Sequence, residues 1–83
     1  MELSRNAVFL RFVKILVDET TKDAPLSKRQ ILRRCEEQGF YVSTNKFDRH
    51  IRDMFQAGIR IKRRVEQGVE LNANLYWYDD GWI

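Results

Sequence analysis

Few side chains in this sequence are equipped for catalysis, and many are equipped for recognition. His50 and Cys35 are each the only residue of their type. A nucleophile needs a base within hydrogen-bond reach, and a metal site needs several converging ligands. One imidazole, one thiol and no clustered carboxylate pair assemble neither, so no catalytic residue, metal site or cofactor is expected. The residues that stand out instead are Thr44, Asn45, Lys46 and Arg49. Asn pairs with adenine and Arg with guanine by bidentate geometry, so these four are candidates for base edges. Lys28, Arg29, Arg52, Arg60, Lys62 and Arg64 are candidates for phosphate contacts.

The charge map agrees with that chemistry. Residues 1–26 balance to zero. Residues 27–64 carry eleven Lys and Arg against four acidic residues, a net +7, and residues 65–83 carry four acidic residues and no base. A basic middle of this density is a footprint for a phosphate backbone. The acidic end, with Glu66, Glu70, Asp79 and Asp80, would be repelled by phosphates. The base of any C-terminal hairpin is therefore expected to approach nucleic acid while its tip stays clear.

The elements that must position these side chains follow from spacing. Residues 4–20 form a first helix, with Val8, Phe12, Ile15 and Leu16 in one apolar stripe that Phe9 and Val13 widen. Ser4 is its cap. Residues 21–26 read as a connector because Pro25 stops a helix. Ser27 and Gln30 form a capping box for a second helix over 28–38, with Ile31, Leu32 and Cys35 facing inward and Gly39 ending it. Ser43 caps a third helix over 44–57, closed by Gly58. Phe47, Ile51, Met54 and Phe55 mark its buried face, and Asn45, Arg49, Arg52 and Gln56 point the opposite way. His50 flanks the apolar stripe and reads as a packing or phosphate-adjacent residue.

After Gly58 the period changes from helical to two. Ile59, Ile61 and Val65 face one side and Arg60, Lys62 and Arg64 the other, with Arg63 free to pair with an acidic neighbour. Glu66-Gln67-Gly68 reads as a turn, and the return strand falls within 71–79, with Trp77 covering the core. The expected fold is α+β: a single domain over 1–83, a three-helix bundle followed by a β-hairpin at about 59–65 and 71–79.

The 83 residues, 43% hydrophobic and 33% charged, suit one small globular core. No run of about 18 apolar residues is present to span a membrane, and Met1–Asn6 does not open a signal peptide. A lone cysteine has no internal disulfide partner, which fits a reducing compartment. The expected location is therefore cytoplasmic, at the nucleoid.

The run from Leu26 to Ile61 resembles the N-terminal winged helix-turn-helix of WYL-type and DeoR-like bacterial transcriptional regulators. The matching pieces are Leu26-Ser27, Gly39 with Val42-Ser43, Phe47 with Arg49 and Ile51, and Ala57-Gly58-Ile59; the likeness extends over residues 8–65. It implies sequence-specific binding to double-stranded DNA by a regulator such as a repressor, usually a homodimer on a repeated or palindromic site. The third helix would lie in the major groove. Lys46 stands where the family usually has Thr, and His50 where it has Asp, so base preference does not carry over. A WYL regulator continues into a ligand-sensing domain. The chain is thus expected to be either a cut domain or a stand-alone regulator of the kind phages and mobile elements carry.

A rival reading is a winged-helix protein-interaction module that docks to a polymerase, nuclease or replication assembly. The acidic C-terminal end and the terminal Trp82-Ile83 favour such a protein partner, and the basic stripe on the third helix favours DNA.

Overall fold

Each helix begins at a serine whose hydroxyl takes up an otherwise unpaired amide. In the computed structural model, which describes residues 3–67 and 72–79, Ser4 Oγ accepts from Ala7 N at 3.1 Å, opening α1 (Arg5–Glu19). Ser27 Oγ accepts from Gln30 N at 3.2 Å while Gln30 Oε1 accepts from Ser27 N at 2.9 Å, which completes the expected capping box of α2 (Lys28–Glu37). Ser43 Oγ accepts from Lys46 N at 3.2 Å at the start of α3 (Thr44–Gln56). Each such cap stabilises its helix by about 1 kcal/mol.

The two later helices also end alike. Past α2, Gly39 adopts φ 89°; its N–H donates to Glu36 O and that of Phe40 to Cys35 O. Past α3, Gly58 adopts φ 82°; its N–H donates to Phe55 O and that of Ile59 to Met54 O. These are paired Schellman stops, which need a left-handed residue and turn the chain sharply. They fix the direction of the chain before and after α3.

The remaining elements are β1 (Leu26–Ser27), β2 (Ile61–Gln67) and β3 (Asn72–Tyr78), in an antiparallel sheet of order β1-β3-β2. Leu26 and Ser27, read from the sequence as connector and cap, pair with Tyr76 and Leu75. A two-residue strand has no period to read, and its partner lies far along the chain. β2 also runs on through Gln67, where a turn was expected from Glu66. Residues 68–71, the rest of that turn, lie outside the described residues.

Phe12, Ile15 and Leu16 of α1, Ile31 and Cys35 of α2, and Phe47 and Met54 of α3 are buried, together with Phe40, Val42, Ile61 and Tyr76. Phe47 is their hub. Its ring meets Phe12 at 5.5 Å and Tyr76 at 5.2 Å between centroids, both edge to face, a geometry favoured by the aromatic quadrupole. One ring thereby joins α1, α3 and β3.

Three expectations about burial are corrected. Phe55 is 56% exposed, because it sits at the margin of the α3 stripe. Val65 is 55% exposed; Asn74 opposite it is exposed too, so at that level the hairpin has run past the helices. Trp77 does not cover the core. Its register partner is Lys62, on the sheet face opposite the one from which Tyr76 reaches Phe47, because adjacent strand residues alternate.

Candidate nucleic-acid interface

Burial of Phe47 and Met54 fixes the rotation of α3 and therefore which side chains it shows to solvent. Asn45, Arg49, Arg52 and Gln56 are exposed along the opposite face. The four base-edge candidates do not form one surface. Asn45 and Arg49 point outward, whereas Thr44 turns toward α2 and Lys46 toward α1, about 100° from the outward direction in opposite senses. Thr44 lines a cleft of about 470 Å³ with Lys28, Arg29, Leu32, Arg33 and Glu36. Arg52 is exposed between the outward face and the α2 flank.

On α2 the basic residues divide into free and committed. Lys28 Nζ lies 3.1 Å from Asp48 Oδ1 and 5.3 Å from the centre of the Phe47 ring, so its charge is partly answered within the fold. Arg34 pairs with Glu19, whose other carboxylate oxygen accepts from Gln38 Nε2 at 3.0 Å; that cluster clamps the end of α2 to the end of α1. Arg29 and Arg33 are exposed and form no ion pair among the described residues. Arg33 was not among the sequence candidates. Its i+4 spacing from Arg29 was the available signal, since that places both on one face.

Arg60, Lys62 and Arg64 are exposed. Lys62 and Arg64 stand opposite Trp77 and Leu75, and Arg60 O accepts from Asp79 N, which extends the ladder by one pair. Arg60 and Lys62 line a shallow cleft with Phe55 at the C-terminal end of α3. The strand cations therefore flank the far end of α3 from Asn45. Arg63, expected to pair with a carboxylate, has none among the described residues and lies opposite Tyr76. The side chain of Glu66, and Glu70, Asp80, Trp82 and Ile83, lie outside the described residues.

His50 is not part of the exposed face. Its ring packs against Phe9 at 5.3 Å and Phe12 at 5.1 Å, and both ring nitrogens are buried without a hydrogen-bond partner. Burial pushes its pKa below the ordinary value; Asp53 opposes that shift, and Lys46 and Arg49 reinforce it. His50 is thus a packing residue held neutral. Cys35 is fully buried, and burial raises its thiol to about 11, which makes it a small apolar core residue with little thiolate.

Among the described residues no group of three or more His, Cys, Asp or Glu is placed to hold a metal ion, and no helix is long and apolar enough to cross a membrane. What the arrangement offers is a helix with exposed amide and guanidinium groups on its outward face and cations along its margins. No family model, curated protein or solved structure matches this chain, so the reading of this surface rests on its own residues.

Proposed function

We propose that this chain is a winged helix-turn-helix that binds double-stranded DNA sequence-specifically and acts as a small transcriptional regulator. α2 and α3 form the helix-turn-helix, α3 enters the major groove, and the β2–β3 hairpin is the wing. The observation that carries the reading is the outward face of α3, where Asn45, Arg49 and Arg52 are exposed directly behind a buried Phe47–Met54 stripe.

In this reading Asn45 and Arg49 meet base edges, with Thr44 and Lys46 at the margins of the helix. Lys28, Arg29 and Arg52, with Arg60, Lys62 and Arg64 of the wing, meet phosphates. The three-helix, three-stranded antiparallel architecture is compatible with it. Binding is driven by release of counterions from the phosphates, and a few α3 side chains select the sequence.

A second reading, a winged helix that docks to protein, is favoured by one specific feature. Leu10 and Val17 stand seven residues apart on α1 and are 65% and 39% exposed, an apolar strip suited to a homodimer or a protein partner.

An anisotropy titration of mixed-sequence duplex over a salt series, with the native chain and Arg49→Glu, separates the two. The DNA reading expects affinity that falls steeply with salt and is lost with the substitution. Undetectable duplex binding at low salt, from a folded sample, would leave the docking reading.

A further inference from the structure

The ridge of α3 has a second margin, where that proposal assigns Arg5 of α1 no role. On the side away from α2, the N-terminal half of α1 and the flank of α3 enclose a cleft of about 340 Å³. Arg5 and Asn6 line it from α1, and Lys46, Arg49 and Asp53 line it from α3. Val8 and Phe9 add an apolar part to its lining, and the His50 ring borders it. Three cations meet one carboxylate there, and neither Arg5, Lys46 nor Arg49 forms an ion pair among the described residues. Apolar lining beside exposed cations lowers the local dielectric and strengthens their attraction for an anion.

The cleft on the α2 side has the same composition: Lys28, Arg29 and Arg33 against Glu36. α3 is therefore a ridge between two basic troughs. Duplex DNA offers the complementary shape. Its major groove, about 12 Å wide, admits one helix and is bounded on each side by a phosphate backbone, and a helix with its side chains is about 10–12 Å across.

We infer that the α1–α3 cleft is a second phosphate seat, in which Arg5 and Lys46, assisted by the Asn6 amide, hold the DNA strand across the groove from the strand met by Lys28, Arg29 and Arg33. The inference rests on the DNA reading and adds α1, an element to which that reading assigns no contact. It also moves Lys46 from base edge to backbone. The ligand chemistry is a phosphodiester, supplied by duplex DNA rather than by free phosphate.

The test compares the native chain, Arg5→Ala and Arg11→Ala by the slope of log affinity against log salt on a mixed-sequence duplex. Arg11 is an exposed cation of the same helix that does not line the cleft. The inference expects Arg5→Ala to weaken binding equally on unrelated duplexes and to reduce the slope by about 0.9, with Arg11→Ala unchanged. Equal slopes for the native chain and Arg5→Ala, or an equal loss with Arg11→Ala, would overturn the seat while leaving the DNA reading intact. No duplex binding by the native chain would overturn both. If inorganic phosphate binds the native chain without DNA while Arg5→Ala leaves duplex affinity and slope unchanged, the cleft is a free-anion site and the assignment to DNA fails.

Discussion

Thr20 Oγ1 donates to Leu16 O at 2.6 Å and accepts from the backbone N–H of Tyr78 at 2.8 Å. One buried hydroxyl thus ties the last turn of α1 to the last residue of β3, closing the described fold across 58 positions of sequence. Thr20→Val keeps the shape and removes both bonds. Loss of a buried hydrogen bond costs about 1–3 kcal/mol, so urea unfolding should show a drop of that size. Thr20→Ser should recover most of it, and equal stability of the valine variant would show that the hydroxyl contributes nothing.

Asp48 competes for the Lys28 ammonium at little energetic gain. The two side chains are 34% and 66% exposed, and a pair this open is worth about 0–1 kcal/mol. Asp48→Asn should therefore leave stability nearly unchanged. On duplex DNA it should strengthen binding at low salt and steepen the salt slope by up to about 0.9, because one ammonium is released to a phosphate. Weaker binding would place Asp48 in a positioning role.

His50 should make the fold sensitive to acid. Its folded pKa is depressed by burial, so the unfolded chain takes up the proton first as pH falls. The stabilisation is complete above the unfolded value of about 6.5 and is lost as pH falls through the lower folded value. His50→Phe keeps an aromatic ring against Phe9 and Phe12 and removes the titration. Urea midpoints measured at about pH 7.5 and 5.5 should diverge for the native chain by more than for the variant. Parallel midpoints would mean that carboxylates alone govern the acid response.

Cys35 should be inert until the fold opens. With its thiol raised to about 11 and its side chain fully buried, an aromatic disulfide reagent at about pH 8 should label it at the rate of unfolding, and within seconds in denaturant. Labelling of the native protein at the denatured rate would contradict the burial.

The helical half of this fold is legible because its signals are local. Ser27 and Gln30 meet three residues apart, and Gly39 and Gly58 stop helices whose apolar stripes end just before them. The sheet is less legible because its signals are remote. Nothing around Leu26-Ser27 announces pairing with Leu75 and Tyr76, and nothing around Thr20 announces Tyr78. Trp77 and Tyr76 are equally suited to a core, and only the strand register decides that Tyr76 enters it. For the candidate interface, helical periodicity found the outward residues Asn45, Arg49 and Arg52. It could not find Arg5, because which helix packs on which flank of α3 is a tertiary fact.

The strand order has a consequence for how this protein avoids its own kind. β3 lies between β1 and β2, so among the described residues β2 is an outer strand of the sheet. It carries Lys62, Arg63 and Arg64 in succession, and such charges on an outer strand repel a second copy in the act of pairing. On the other side β1 covers β3 at Leu75 and Tyr76. The basic run thereby guards solubility whatever else it touches, and a variant stripped of all three charges should clump through its sheets at concentrations where the native protein stays dispersed.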